Sequence, residues 1–319
     1  MTSEVQSLRL SAIRYEAEAI ASFQFQHPDA APLPAFAPGA HVDVHLPNGL
    51  IRSYSLSNES SETHRYVVTV ARDVNSRGGS AYMHDKLHVG QLLKVGVPAN
   101  HFPLDESASD TVLIAGGVGV TPIWCMAQRL ERLGRPVKVF YASRSRANAA
   151  FSKDFEALGR RHAACVHLHF DDERGLLDIR KLVSENVGAG THVYCCGPTP
   201  MLQAFEAACS HLPPECVHVE YFKAKDAPIT ADGLELVLAK SQKTLRVGHG
   251  KTVLDAILEA GIDVPYSCME GICGSCEVPV LDGVPDHHDS VLSAKQKASN
   301  STMLICCSGA KSSRLVLDL

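Results

Sequence analysis

Three cysteines fall within nine positions in the stretch PYSCMEGICGSCEV, residues 265 to 278. Their spacing is Cys268-x4-Cys273-x2-Cys276, and twenty-nine further residues lead to Cys306. Thiols so crowded could close a disulfide, act as nucleophiles, fill a core or bind metal. Three thiolates from one loop and a fourth from a distant segment is the plant-type [2Fe-2S] arrangement. A loop wrapped around two irons must turn backbone N–H groups toward the sulfurs, and Gly271 and Gly274 permit the φ values and close approach this needs. Structural zinc more often takes two separated cysteine pairs. A Rieske centre needs two histidine ligands, and this stretch has no histidine. Cys307, vicinal to Cys306, is the alternative for the fourth position, but the twenty-nine-residue gap points to Cys306.

Four other stretches hold chemically useful residues, each with a plainer structural reading beside it. In RSYSLSN (52–58) an arginine, an aromatic and serines follow a strand. The guanidinium suits a phosphate and the ring an aromatic cofactor, but the same residues suit an ordinary strand surface. RGGSAYMHD (77–85) places Gly78, Gly79 and Ser80 at the opening of a helix, where backbone N–H groups and the helix dipole suit a phosphate. AGGVGVTP (115–122) has Gly116, Gly117 and Gly119 but no third glycine of the dinucleotide fingerprint. CCGPTPM (195–201) follows a later strand, and Cys196 there could equally be a buried cysteine before a turn. ASRSR (142–146) has Ser143 and Arg144 after another strand, where an adenosine ribose, a 2′-phosphate or solvent could meet them.

The elements that must position these residues fall into three segments. The chain has 319 residues, too many for one typical core. Its 35 acidic and 30 basic side chains leave a net charge of -5, which gives no reason to expect nucleic acid or an anionic membrane as partner. Glu4, Arg9, Arg14 and Glu16 deny the N-terminus the apolar core of a signal peptide. Eleven cysteines then argue for a reducing compartment, so a cytoplasmic location is expected. Cys125, Cys165, Cys195, Cys196, Cys209, Cys216 and Cys307 are expected to be mostly small buried hydrophobes.

Residues 1–107 read as short strands with turns, an antiparallel β-barrel. Residues 108–224 alternate strands and helices, as in a parallel α/β domain. In that domain TVLIAGG is a strand, and TPIWCMAQRLERLG is a helix with Thr121 as N-cap, Pro122 at the first helical position and Gly134 as stop. Residues 225–233 read as a linker. Residues 234–319 hold a hairpin, the helix TVLDAILEAGI, the cysteine loop and a closing strand, RLVLDL.

PYSCMEGICGSC resembles the cluster loop of plant-type ferredoxins, a β-grasp fold, and the C-terminal domain is similar to one. RSYS with RGGS resembles the flavin-binding barrel of the ferredoxin–NADP reductase superfamily, and AGGVGVTP with CCGP resembles that superfamily's pyridine-nucleotide domain. Barrel, nucleotide domain and C-terminal ferredoxin, in that order, resemble the phthalate dioxygenase reductase family, to which vanillate demethylase reductase belongs. The resemblance implies FMN, NADH and a [2Fe-2S] cluster in one chain, a terminal Rieske-type oxygenase that receives the electrons as transient partner, and a monomer. It implies FMN contacts from Arg52, Ser53, Tyr54, Ser55 and Ser80, with Phe222 as an aromatic near the flavin ring. Gly116, Gly117, Gly119, Thr121 and Pro122 would hold the nucleotide pyrophosphate. Cys196, Gly197 and Pro198 would sit beside the nicotinamide, where Ser55 and Cys196 orient the two rings. The function implied is a converter of two-electron into one-electron transfer. Other acceptors compete, such as a multicomponent monooxygenase or a soluble carrier, as does a ferredoxin-like redox sensor.

Overall fold

A computed structural model describes residues 5–74, 76–161, 165–222 and 231–319. The first segment forms strands β1 (Val5–Ala17), β2 (Ile20–Gln26), β3 (Ala40–His45), β4 (Ile51–Ser55) and β5 (Tyr66–Ala71). Helix α1 (Gly79–Lys86) and strands β6 (Leu92–Gly96) and β7 (Ala99–Asn100) follow. The sheet order is β4-β3-β6-β1-β2-β5, with β7 beside β3 and every pair antiparallel. A Leu56–Val68 bridge and a 2.8 Å bond from the Ser57 N–H to the Val67 carbonyl join the two ends. The sheet thus closes into a barrel around Leu8, Leu10, Phe23, Phe25, Val42 and Val44, the alternate residues of its strands.

The second segment runs β8 (Asp110–Gly116), α2 (Val120–Arg132), β9 (Val137–Ser143), α3 (Ser152–Arg161), β10 (Cys165–Phe170), α4 (Asp171–Arg174), α5 (Ile179–Asn186), β11 (Thr191–Cys196), α6 (Thr199–Ala208) and β12 (Val217–Glu220). All five strands are parallel, in the order β10-β9-β8-β11-β12. The order reverses between β8 and β11, so their loops part there and leave the crevice in which such sheets bind ligands. The edge strands carry histidines among their apolar residues, CVHLHF and VHVE, which weakens their signal in the sequence.

Helix α2 departs from the sequence expectation at its start. A 3-10 turn over Gly117–Gly119 leads into it, and Gly119 occupies the N-cap. Thr121 is therefore inside the first turn and does not cap; its hydroxyl donates back to the Val118 carbonyl at 3.1 Å. Pro122 is the third helical residue, where its missing N–H costs nothing. The end is as expected: Gly134 has φ 65°, and the N–H groups of Gly134 and Arg135 reach back to Glu131 and Leu130.

Barrel and α/β layer share one core, in which Ala17, Ile20 and Phe102 pack with Val120, Ile123 and Met126. Gln128 also donates to the Ser57 carbonyl at 3.0 Å, and Arg132 pairs with Glu59 at 2.9 Å.

The chain divides into two compact units after Phe222. The expected linker lies mostly outside the described residues, but its last three, Ala231 to Gly233, belong to the second unit. Ala231 is buried in that unit's core, and its N–H donates to the Lys251 carbonyl. Strands β13 (Glu235–Leu238) and β14 (Lys243–Arg246) form the hairpin, and α7 (Val253–Glu259) follows behind a Thr252–Asp255 capping box. Then come β15 (Glu277–Asp282), β16 (Pro285–Asp286), α8 (Ala294–Ser299), β17 (Thr302–Leu304), β18 (Gly309–Ala310) and β19 (Arg314–Leu317). The order β14-β13-β19-β15-β17, with β13 and β19 parallel at its centre, is that of a β-grasp sheet. Among the described residues no helix is long and apolar enough to cross a membrane.

Candidate active site and cluster loop

The crevice at the strand-order reversal brings three distant segments together. Cys196 ends β11 and Glu220 ends β12, and the two are direct partners in the parallel register. Their side chains therefore share a face, with Cys196 Sγ 3.8 Å from Glu220 Oε2. Ser55, at the end of barrel strand β4, hydrogen-bonds the same carboxyl group. Although Glu220 keeps some solvent contact as a residue, its carboxyl group is enclosed, and burial pushes its pKa up to about 8. Cys196 is fully buried, and burial together with Glu220 holds its thiol well above the usual range. The junction is thus neutral at pH 7, and Cys196 is no thiolate nucleophile. Ser55 and Cys196 were expected here. Glu220 was not, and its only signal is an acid within the apolar end of HVEYF.

The glycines around this junction serve mainly to bring protein segments together. A Cβ on Gly119 would fall 2.3 Å from the Cys196 carbonyl oxygen, and one on Gly116 would fall 2.7 Å from both Pro198 and Met201. Gly197 abuts Gly116 in turn. Gly116 and Gly119 thus have a packing role beside the pyrophosphate role expected of them, because the AGGVGVTP and CCGP loops lie against one another. Gly117 differs, with φ 53° and open space where its side chain would be, beside the N-terminus of α2. That face fits a pyrophosphate. Farther out, Ser143 is buried beside Tyr141, whereas Arg144 is exposed. Arg146 is engaged, paired with Glu173 at 2.8 Å and lying 4.4 Å over the Phe170 ring. Phe222 is partly buried against the shared core.

On the barrel side, a Cβ on Gly79 would fall 2.8 Å from Arg52 Nε, so the guanidinium lies across the first turn of α1. Gly78 caps that helix with φ 93°. A cation laid over a helix N-terminus is a pair of positive features that suits a phosphate monoester such as the FMN tail. Tyr54 is half-buried, and burial holds its phenol neutral with a pKa near 12. Ser80 faces inward, accepting from the Asp73 N–H and bonding Ser76. Ser53 donates to Asp43 at 2.5 Å, so its hydroxyl is engaged within the barrel.

In the second unit Cys268, Cys273, Cys276 and Cys306 are all buried. Cys268 is within hydrogen-bonding reach of Cys273 and Cys306, and Cys276 of Cys306, so one site gathers all four thiols. Their crowding and burial hold the Cys273 and Cys276 thiols far above the usual range. Bound metal would replace those protons. The Glu270 N–H donates to Cys268 Sγ at 3.3 Å, and the Ile272 backbone reaches the same sulfur. Gly271 and Gly274 have φ 68° and 74°, as the loop requires, and Met269 joins them at 58°. Among the described residues no three such side chains converge on a single-ion position. A binuclear cluster needs no such point, because each iron takes two of the four thiolates. Cys307 sits apart, its thiol directed to the Leu304 carbonyl at 3.8 Å and packed beneath Gly271. The donor set and its N–H groups fit a [2Fe-2S] cluster.

The comparisons with known proteins agree with this geometry. Residues 113–207 match the oxidoreductase NAD-binding domain family, and residues 236–311 match the 2Fe-2S iron-sulfur cluster binding domain family. The chain is 50% identical to the phenoxybenzoate dioxygenase subunit beta of Ectopseudomonas oleovorans, over 98% of this chain and 97% of that one. It is 46% identical to the tetrachlorobenzoquinone reductase of Sphingobium chlorophenolicum over the full length of both. The solved structure of phthalate dioxygenase reductase superposes with a TM-score of 0.74 at 35% identity, covering 99% of this chain and 98% of the other. A barrel sheet, a parallel sheet and a grasp sheet, a neutral junction at the nucleotide crevice and four gathered thiols accompany that likeness along the whole chain, which belongs to the phthalate dioxygenase reductase family.

Proposed function

We propose that this protein is the reductase component of an aromatic-compound oxygenase or demethylase system, taking hydride from NADH and delivering single electrons to a Rieske-type terminal oxygenase. The observation that carries the reading is the meeting of Ser55, Cys196 and Glu220 at the crevice, in a chain whose second unit gathers four cysteines. The full-length relatives named for dioxygenase systems support it. FMN supplies hydride acceptance and one-electron release, and the cluster supplies one-electron transfer.

The chain's own residues bind and orient. Arg52 and the α1 N-terminus would hold the flavin phosphate, Tyr54 would supply an aromatic surface for the ring, and Gly117 with the α2 N-terminus would take the nucleotide pyrophosphate. Ser55, Cys196 and Glu220 form an uncharged wall that would orient the reacting rings. Hydride transfer needs no acid or base, so protonated Glu220 positions Ser55 and Cys196. The engagement of Arg146 by Glu173, within the acidic helix α4, favours NADH over a nucleotide with an added phosphate. The protein is expected to act as a cytoplasmic monomer that meets its oxygenase transiently.

The test is anaerobic titration of the purified protein with NADH, followed by reconstitution with Rieske-type oxygenases and comparison with NADPH. Flavin and iron–sulfur absorption bleached by NADH, and oxygenase turnover that depends on this protein, are expected. Bleaching without transfer to any such oxygenase would favour a second reading, suggested by the tetrachlorobenzoquinone reductase relative, in which a small quinone is the acceptor.

A further inference from the structure

The underside of the cluster loop holds a buried acid that nothing above employs. Asp289 has a fully buried side chain although it lies in the polar stretch PDHHDS. Its Oδ2 accepts the N–H groups of Val291 and Leu292 at 3.0 and 2.7 Å, and Lys297 Nζ lies 3.6 Å away. Lys297 also donates to the Asp289 carbonyl at 2.5 Å. The carboxylate therefore closes the tight turn 289–292 upon itself and ties it to α8.

That turn supports the loop directly. The Ser290 N–H donates to the Gly271 carbonyl at 2.9 Å, and a Cβ on Gly271 would fall 3.1 Å from Asp289 Cα and 2.5 Å from Cys307 Sγ. Gly271 is thereby held in its left-handed conformation, two residues before Cys273 and next to Ile272, whose backbone reaches Cys268. A buried carboxylate whose charged or titratable neighbours are a partly exposed Lys297 and the enclosed His287 side chain, with Nδ1 3.8 Å from Oδ1, is a costly way to fold a turn. Its other oxygen, Oδ1, accepts no hydrogen bond among the described residues.

We propose that Asp289 is the positioning residue of the cluster loop: it fixes the turn that locks Gly271, and its negative charge depresses the reduction potential of the bound cluster. The inference rests on the cluster reading above and adds a residue that acts on the cluster without touching it.

Asp289→Asn and Asp289→Ala test it in the full-length holoprotein. Asn keeps an oxygen for the two N–H donors and removes the charge. It should retain the cluster and its electron paramagnetic resonance line shape while the potential moves positive. The expected shift is about tenfold in the reduced-to-oxidised ratio, the scale of one partly screened charge, or ~59 mV for one electron. Ala removes both functions. Iron release to a chelator should rise about 10- to 100-fold, and amide exchange at Ser290, Val291 and Leu292 should accelerate. In both variants the rate at which NADH bleaches the flavin should stay as in the parent.

If Asn leaves the potential unchanged and Ala leaves iron release and amide exchange unchanged, the proposal fails. It also fails if Asn melts the whole second unit, since the role is then only structural. Should Ala not fold, the Asn potential alone decides. A parent protein with no cluster signal after reduction by NADH would instead sink the cluster reading itself.

Discussion

The cluster loop draws three of its four thiols from nine consecutive residues, whereas the crevice junction draws Ser55, Cys196 and Glu220 from segments 141 and 24 positions apart. In the loop, geometry follows from local backbone conformation, with left-handed turns at Met269, Gly271 and Gly274. At the junction it follows from strand register and from the core shared by barrel and α/β layer. A site whose ligands come mostly from one loop should fail when one ligand is lost and, apart from the 289–292 turn that braces Gly271, should tolerate change elsewhere. A site built by register should respond to packing changes at residues that touch no cofactor.

The largest expected effect separates two adjacent cysteines. Cys306→Ala should lose nearly all bound iron and all transfer to one-electron acceptors, while NADH still bleaches the flavin. Cys307→Ala should keep its iron. Iron assay and paramagnetic resonance on the two variants check this, and equal iron content in both would break the local description of the loop.

Gly119→Ala probes the junction without touching its side chains. The new methyl must displace the Cys196 carbonyl, and a displacement near 1 Å costs on the order of 100-fold in rate. Stopped-flow hydride transfer should slow by that order with the cluster spectrum unaltered. A rate within twofold of the parent would show that register does not govern the site.

Arg52→Ala tests the phosphate seat of the barrel. Loss of one charged pairing, worth about 1.5–3 kcal/mol, should weaken FMN retention roughly tenfold or more, as read by equilibrium dialysis. The second unit should keep its iron.

The last effect, small per pH unit, is a slope confined to the junction. Glu220 is held protonated up to about pH 8, whereas an unfolded glutamate loses its proton near 4.5. Between those values the folded state binds the extra proton, so stability falls as pH rises, by at most about 1.4 kcal/mol per unit. Urea unfolding of the cofactor-free protein at pH 5.5 and 7.5 should show the decline. Glu220→Gln should flatten it, and an unchanged slope in that variant would place the titration elsewhere.

The same contrast explains what could be read in advance. The cysteine spacing, the glycines of the loop and the strand–helix alternation are local patterns, and they were legible. Strands β10 and β12 were not, because histidines interrupt their apolar runs. The N-terminus of α2 shifted because a 3-10 turn takes up the glycines before Thr121. Glu220 and Asp289 were missed for a common reason: an acid in a chain looks solvated until packing encloses it.

Residue types and spacing by themselves determined that four thiols could hold a cluster and that a barrel precedes an α/β layer and a small domain of hairpin, helix and closing strand, since backbone preference and ligand spacing act over a few residues. The grasp fold of that last domain came from its resemblance to plant-type ferredoxins. Only the tertiary structure decided that three glycines seat loop against loop, that Cys307 turns its thiol away to the Leu304 carbonyl, and that two acids are buried. Those outcomes depend on which distant atoms exclude water from a given side chain, and that is a property of the packed molecule.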